Sequence, residues 1–459
     1  MKPSPGISRP VSRKDSGLAR CEVVALLLLA FVSAAPAQAQ RPSTTSGFFA
    51  GANYDEAKVA PYTLPDPLVC FDGTPVTSTA IWNAKRRPEI LRTFETQVYG
   101  RAPAVNQRPR FEIISTDPTA LGGTATRKQV KIWLLGTNPG PALELLLYLP
   151  NGVSRPVPAF LGLNFAGNQC VSVDPGVPVT PNWARANLTG VVDHRATEAT
   201  RGIHASRWQV EKVLARGYAV ATAYYGDIEP DHRDGWKTGL RGALGRDGAA
   251  TVFAPEEWAA TSAWAWGLSR IMDYLATDPA IDAARVAVHG HSRLGKTALW
   301  AGALDQRFAL VISNCSGEGG ASLMRRNFGE TIAQANASEP HRFCGNFRRY
   351  EGAAGDLPVD AHLLIALMAP RPVYVASAVE DDLADPRGEF LAAKHAGPAF
   401  GLFGLKGLGS VERAVVDQPI GDVAAYHVRS GTHDITAYDW DQYLNFADRH
   451  FHRSPSPVR

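Results

Sequence analysis

The segment V-A-V-H-G-H-S-R-L-G-K, residues 286–296, constrains the fold more than any other part of the sequence. Its first three residues predict a buried strand, and the apolar spacing that follows Ser292 predicts a helix. Gly290 and Gly295 flank the serine and permit a tight turn. A serine on a sharp strand-to-helix turn is the geometry of a nucleophile elbow, although Leu294 occupies the second glycine position of G-x-S-x-G. The alternative is an ordinary turn before a helix N-cap.

The remainder of the chain alternates between strand-like and helix-like segments. With 459 residues and 45% hydrophobic side chains, it can bury a large core. Strands separated by helices predict an α/β fold, a mostly parallel sheet with helices on both faces in a three-layer αβα sandwich. We predict an N-terminal extension over 40–95 packed on one catalytic domain over 96–455. Strands are expected at 130–133, 143–149, 157–163, 218–225, 286–288, 308–313, 371–378 and 424–429, and helices at 258–275 and 296–304.

The first 39 residues have the pattern of a secretory signal peptide. Basic residues precede an apolar run at 23–32, and small residues follow as far as Ala37-Gln38-Ala39. Cleavage after Ala39 leaves 42 basic and 42 acidic residues. A neutral mature chain gives no electrostatic reason to expect nucleic acid or a membrane surface as partner. We expect a secreted or periplasmic protein that is monomeric.

Four cysteines remain after the signal peptide, and three complete pairings are open to them. We favour a Cys315–Cys344 disulfide, because it would close a loop of about 30 residues and stabilise the fold by roughly 3–4 kcal/mol. The other two are Cys70 and Cys170.

Neither a metal nor another cofactor is predicted. The sequence has no C-x-x-C or H-x-x-x-H spacing of the kind that binds zinc. Asp227, Glu229 and Asp231 resemble a cation cluster, but the spacing of an EF-hand is missing.

His433, in S-G-T-H-D after the last predicted strand, is the expected general base for Ser292. In hydrolases built on a nucleophile elbow, the chain order is serine, acid, histidine. His427 lies within a predicted strand, and His450 and His452 lie in a predicted terminal helix, so each of these is expected to be packed or solvated instead.

The acid of the triad is expected in the loop that follows the strand at 371–378. A carboxylate there could orient the imidazole and stabilise its charged form. Asp381 is the favoured residue, while Asp382 and Glu380 are alternatives in a loop that could be merely solvated. Glu318, in N-C-S-G-E-G-G after an earlier strand, is the runner-up.

The motif G-H-S-R-L-G-K resembles the nucleophile motif of the glucuronoyl esterases, carbohydrate esterase family 15, whose pattern is G-[CH]-S-R-x-G-K. The resemblance covers roughly residues 95–450 and implies an α/β-hydrolase fold. Other stretches are similar to the bacterial branch of the family: L-N-F-A-G-N (163–168), A-S-R-W (205–208), the segment 217–231, A-W-A-W-G (263–267), R-R-N-F-G-E-T (325–331), R-P-V-Y-V-A-S-A (371–378) and A-D-P-R-G-E-F (384–390).

The resemblance also implies roles for single residues. Ser292 would be the nucleophile and His433 the base, while Arg293 would supply the oxyanion hole through its backbone N–H and guanidinium. Lys296 and Glu330 would bind the sugar hydroxyls. A cation beside the carbonyl suits the negative charge that develops there.

Two residues depart from the family pattern. Cys315 stands where fungal members place the acid, whereas many bacterial members use the acid after the later strand, which is Asp381 here. Leu383 stands where bacterial members often carry a tryptophan that contacts the sugar, which weakens ring stacking.

The resemblance therefore implies a serine esterase that cleaves the ester between (4-O-methyl-)glucuronic acid of glucuronoxylan and lignin alcohols. An acetyl-xylan or feruloyl esterase is one alternative, but Arg293 and Lys296 argue against it, because a neutral acyl group gains little from them. The other alternative is a carbohydrate-binding protein that has lost the reaction, and Cys315 and Leu383 favour it.

Overall fold

A mixed sheet of ten strands forms the centre of the protein in the computed structural model, which describes residues 49–244 and 253–451. The predicted signal peptide lies outside these residues. The strand order is β1-β2-β3-β7-β4-β8-β9-β10-β12-β11, with β5 and β6 forming a separate hairpin. The strands are β1 (Arg110–Ala120), β2 (Ala125–Trp133), β3 (Ala142–Pro150), β4 (Val157–Asn164), β5 (Val191–Val192), β6 (Arg195–Ala196), β7 (Ala219–Tyr224), β8 (Ile281–His291), β9 (Leu310–Asn314), β10 (Val373–Ala378), β11 (Ile420–Gly421) and β12 (Ala424–Arg429).

The six strands from β7 to β12 through β4, β8, β9 and β10 are parallel, and antiparallel strands extend both edges. Consecutive residues of a strand face opposite sides of a sheet. Accordingly, Leu145 and Leu147 lie in one hydrophobic cluster, whereas Leu146 and Tyr148 lie in a second cluster. The predicted sheet with apolar packing on both faces is therefore confirmed.

Helices cover both faces of the sheet. The long helix α7, with Trp264 and Leu268, packs with α8 in the first cluster, while α13 contributes Trp440 and Tyr443 to the second. The helices are α1 (Thr79–Ile81), α2 (Arg87–Gln97), α3 (Ala205–Trp208), α4 (Val210–Ala215), α5 (Tyr225–Ile228), α6 (Leu240–Ala243), α7 (Ala260–Leu275), α8 (Arg293–Leu304), α9 (Ile332–Ser338), α10 (Ala361–Ala366), α11 (Pro386–His395), α12 (Gly397–Gly401) and α13 (Ala437–Phe451). In the described part of the chain, no helix has both the length and the apolar character needed to cross a bilayer.

The segment before β1 contains a helix that joins the main core. Ile90 and Phe94 of α2 are buried in the same cluster as Trp300 of α8, and the rings of Tyr99 and Trp300 stack with centroids 4.7 Å apart. This packing explains how a stretch rich in turn-forming residues is held against the sheet.

The predicted Cys315–Cys344 disulfide is wrong. All four cysteines of the described residues are free and buried. The sulfur of Cys315 lies 3.9 Å from the carbonyl oxygen of Asp434, whereas the sulfur of Cys344 lies 3.7 Å from that of Thr96 in α2. The two thiols therefore contact different parts of the chain, the loop before α13 and helix α2.

The carboxyl ends of the central strands meet at one edge of the sheet. His291 at the end of β8 pairs with Asn314 of β9, and Ala378 at the end of β10 pairs with Arg429 of β12. The loops that follow these four strands therefore emerge side by side, as expected for a binding site in an open α/β sheet.

Candidate active site

Ser292 stands at the turn between β8 and α8 with φ 57° and ψ −130°, a backbone conformation that is strained for a residue other than glycine. Its N–H donates to the carbonyl oxygen of Asn314 over 2.8 Å. A Cβ atom at Gly290 would lie 2.0 Å from the carbonyl oxygen of Leu294, so this position requires glycine. The predicted strand, sharp turn and helix are confirmed, and their geometry is that of a nucleophile elbow.

His433 and Asp381 form a close pair at the same edge of the sheet. Nδ1 of His433 lies 2.6 Å from Oδ2 of Asp381. The Asp381 side chain is buried at 1% exposure, whereas that of His433 is 38% exposed. A buried carboxylate on Nδ1 leaves Nε2 as the nitrogen that can accept a proton.

The ring of His291, the residue before the serine, packs on the ring of His433. Their centroids are 4.5 Å apart, and the ring planes are tilted by 43°. Nδ1 of His291 also lies 2.6 Å from Oδ1 of Asn314. Burial holds the pKa of His291 well below its ordinary value. The imidazole of His433 therefore packs against an uncharged ring.

Arg429 holds the loop that carries His433. Its guanidinium donates to the carbonyl oxygens of Thr432 and Asp434, which are the residues on either side of His433. Nε of Arg429 donates to Oδ2 of Asp439 over 2.7 Å, and both side chains are buried. Sequence reasoning missed this pair, because an arginine in a strand and an aspartate in a helix carry no local signal of contact.

Arg293 is the first residue of α8 and points toward a buried carboxylate. Its guanidinium lies over the ring of Phe165 at 5.3 Å, and its Nη1 lies 3.4 Å from Oδ2 of Asp231. The first N–H groups of a helix have no partner within the helix, so the backbone N–H of Arg293 is available to an oxyanion.

Asp231 is the centre of a buried ion-pair network. Arg342 donates to both of its oxygens at 2.9 and 2.7 Å, and Arg185 donates over 2.8 Å. Burial alone would raise the pKa of Asp231, but Arg342 and Arg293 hold it well below its ordinary value. The residues of the cluster noted in the sequence are separated, since Glu229 pairs with Arg241.

Lys296 and Glu330 face each other near the elbow. Nζ of Lys296 lies 3.6 Å from Oε2 of Glu330, and it also donates to the backbone carbonyl of Glu318. The N–H of Glu330 donates to the carbonyl oxygen of Leu383 over 3.0 Å, so Leu383 lies beside the lysine–glutamate pair. Burial lowers the pKa of Lys296, although Glu330 opposes this effect.

Glu318, the runner-up acid, is buried, and its Oε1 has no hydrogen-bond partner among the described residues. Burial, reinforced by Asp360 and Glu330, raises its pKa well above the ordinary value. A carboxyl group whose pKa is raised is less suited to stabilise an imidazolium ion, whereas Asp381 already contacts His433.

A second buried carboxylate that sequence reasoning missed lies behind the pair. Glu389 of α11 accepts hydrogen bonds from the N–H groups of Ser316 and Gly317 and from the hydroxyl of Ser377. It thus links the residues just after β9 to Ser377 of β10, which lies four residues before Asp381. The stretch 384–390 contains this glutamate, but only the folded chain shows what it contacts.

The chain is similar to known esterases of one family. A family model described as glucuronyl esterase of fungi matches residues 248–404. A carbohydrate esterase from an unknown prokaryotic organism is 49% identical over 404 residues, which cover 87% of this chain and 92% of that protein. A 4-O-methyl-glucuronoyl methylesterase of Schizophyllum commune is 26% identical over 75% of this chain and 72% of its own length.

Solved structures give the same result. The glucuronoyl esterase from Solibacter usitatus superposes with a TM-score of 0.82 at 48% identity, covering 86% of this chain and all of that one. A promiscuous esterase of the same family from a marine bacterial metagenome has a TM-score of 0.81 at 49% identity, covering 87% of this chain and all of that one. The expected α/β-hydrolase fold is confirmed. This chain is a carboxylic ester hydrolase and belongs to carbohydrate esterase family 15, the glucuronoyl esterases.

Proposed function

We propose that this enzyme hydrolyses the ester between (4-O-methyl-)glucuronic acid of glucuronoxylan and lignin alcohols, with Ser292, His433 and Asp381 as its triad. The observation that carries the proposal is the 2.6 Å contact between His433 and Asp381 at the sheet edge where the Ser292 elbow emerges. An imidazole held by a buried carboxylate and packed on the residue next to a strained serine is suited to activate that serine.

The reaction would proceed through an acyl-enzyme. Nε2 of His433 takes the proton of the Ser292 hydroxyl as the oxygen attacks the uronate carbonyl carbon, and Asp381 stabilises the imidazolium that forms. The imidazolium then gives its proton to the leaving alcohol. A water molecule attacks the acyl-enzyme with His433 again as base, and the uronic acid is released.

Arg293 would stabilise the oxyanion. Arg293 follows Ser292 directly in the chain and offers both a backbone N–H, at the start of α8, and a guanidinium. Preorganised donors placed at a developing negative charge are among the largest contributions to catalysis. The long 3.4 Å contact with Asp231 leaves guanidinium donors for the substrate. No metal or other cofactor enters this chemistry.

Lys296 and Glu330 would bind the hydroxyls of the sugar. Their side chains are largely buried, lie 3.6 Å apart and offer a donor and an acceptor of opposite charge. Hydrogen bonds to charged groups favour a substrate that can donate and accept, as a sugar does. The names of relatives that act on 4-O-methyl-glucuronoyl methyl esters support this choice of substrate.

The site of action would be the medium or the periplasm. The basic, apolar and small-residue pattern of residues 1–39 supports export, with cleavage near Ala39. We further propose that the mature enzyme is a monomer with a catalytic domain over 96–455 and an extension over 40–95.

Hydrolysis of benzyl glucuronate by the wild type, Asp381→Asn and Glu318→Gln tests the triad. We expect Asp381→Asn to lower kcat by about 10³–10⁴-fold, as loss of the orienting carboxylate does in serine hydrolases. Glu318→Gln should retain activity within about threefold. If only Glu318→Gln loses turnover, then Glu318 and not Asp381 is the acid of the triad.

Substrate comparison separates the alternatives. A glucuronoyl esterase should release methanol from methyl glucuronate much faster than acetate from acetylated xylan or ferulate from feruloylated xylan. Labelling of Ser292 by a fluorophosphonate distinguishes an enzyme from a binding protein, and Ser292→Ala is the control. Folded wild-type protein that is not labelled would contradict the proposal.

A further inference from the structure

The buried thiol of Cys315 lies beside the proposed catalytic pair. One ligand atom from each of Cys315, Asp381 and His433, namely a sulfur, a carboxylate oxygen and a ring nitrogen, lies within 4.8 Å of the other two. These are the three donor types that zinc binds in proteins, at bond lengths of about 2.0–2.3 Å. The ligand atoms of a tetrahedral site are therefore about 3.3–3.8 Å apart. Side-chain movements of about 1 Å would bring the three ligand atoms to these separations around an ion.

Two further observations point to a cation at this position. Oδ1 of Asp381 is buried and has no hydrogen-bond partner within the described residues. Asp381 and Asp439 place negative charge near the Cys315 thiol, and Arg429 opposes them. Negative charge at this position would favour a divalent cation in place of the thiol proton.

The group formed by Cys315, Asp381 and His433 is open to solvent at the histidine. The side chain of His433 is 38% exposed, whereas Asp381 and Cys315 are buried behind it. An ion can therefore reach the imidazole first and then the two deeper ligands, with water as a fourth ligand.

We propose that Cys315, Asp381 and His433 form an inhibitory site for thiophilic divalent cations, with Zn²⁺ as the representative ion. Binding releases the thiol proton to solvent, and the thiolate, carboxylate and imidazole donate their electron pairs to the metal. Coordination of Nε2 would occupy the lone pair that accepts the Ser292 proton. Coordination of Nδ1 would leave the proton of the neutral imidazole on Nε2, with the same loss of basicity.

The inhibition rests on the proposed role of His433 as the base, whereas metal binding itself does not. Activity and binding are therefore measured separately. Hydrolysis of benzyl glucuronate is followed against ZnCl₂ concentration for the wild type, Cys315→Ser and Cys315→Ala, and reversal is followed after addition of EDTA. The matched control is Cys344→Ser, which alters another free and buried thiol that contacts α2.

We expect micromolar ZnCl₂ to inhibit the wild type and Cys344→Ser reversibly, and both Cys315 variants to need at least tenfold more ZnCl₂. Titration with CoCl₂ gives a readout that needs no substrate, since a cobalt–thiolate bond absorbs in the near ultraviolet. The band should appear in the wild type and be absent from Cys315→Ala.

Equal inhibition of the wild type and Cys315→Ala would overturn the proposal, as would cobalt binding without a thiolate band. A thiolate band without inhibition would leave the metal site intact but contradict the assignment of His433 as the base.

Discussion

Arg429 holds His433 from the backbone side, since its guanidinium donates to the carbonyl oxygens on both flanks of that histidine. Asp439 in turn fixes the guanidinium at 2.7 Å from the opposite side. These hydrogen bonds tie the loop to β12 and α13. The position of the imidazole depends on two residues that do not contact the substrate in the proposed mechanism.

Substitution of Arg429 by lysine should therefore lower kcat. Lysine keeps the charge beside Asp439 but lacks the planar fork that reaches several carbonyls at once. We expect a loss of about 10–100-fold in kcat with little change in KM, because a misplaced base slows the chemical step without weakening binding. Steady-state kinetics on benzyl glucuronate provide the measurement. Arg449→Lys, which alters an exposed arginine of α13, is the control and should behave as the wild type.

Asp231→Asn should reduce both stability and turnover. The substitution removes the charge that neutralises Arg185, Arg293 and Arg342 in a buried network. Breaking a buried pair from one side typically costs 3–5 kcal/mol, so we expect a loss in unfolding free energy of about that size. Denaturant unfolding and kcat are the readouts. Asp234→Asn, which alters an exposed partner of Lys237, is the matched control and should change either quantity little.

Leu383→Trp should improve binding of glucuronate esters. The backbone of Leu383 is hydrogen-bonded to Glu330, so an indole at this position would lie beside the proposed sugar-binding pair. Stacking of an aromatic ring on a sugar should lower KM about threefold to tenfold and leave kcat nearly constant. A higher KM in a folded variant would show that the space is closed to the larger side chain.

Acid should destabilise the protein, in part through His289. Burial lowers the pKa of His289 to about 3, and its Nε2 has no partner within the described residues. Below pH 6.5 the unfolded chain binds a proton that the folded chain does not, so the free energy of unfolding falls as pH decreases. The loss continues toward pH 3 at up to about 1.4 kcal/mol per pH unit.

His289→Met should flatten this dependence. We expect the variant to lose about 2 kcal/mol less than the wild type between pH 6 and pH 4, measured by denaturant unfolding at several pH values. Above pH 7 the difference between the two proteins should be constant. Parallel curves throughout the acid range would show that His289 does not contribute.

The elbow could be predicted because its signal is local. The strand, Gly290, Ser292 and the helix follow one another in the chain. A strand followed by a glycine-flanked serine and a helix is compatible with few local structures other than a nucleophile elbow. Asp381 could also be predicted as a residue near the end of a strand, because parallel strands bring their carboxyl ends to one edge.

Contacts between distant residues could not be predicted. Asp231 meets Arg342 across 111 positions, and Glu389 meets Ser316 across 73. Nothing in the neighbouring sequence of either acid reveals such a partner. The incorrect disulfide has the same origin, because a favourable loop length says nothing about which way two thiols face.

The four free thiols of residues 49–244 and 253–451 mean that this part of the fold holds no disulfide cross-link. The polypeptide can reach its final structure in a reducing compartment, without an oxidase or a disulfide isomerase. Production in bacterial cytoplasm should therefore yield active enzyme, and dithiothreitol in a storage buffer should leave its melting temperature unchanged.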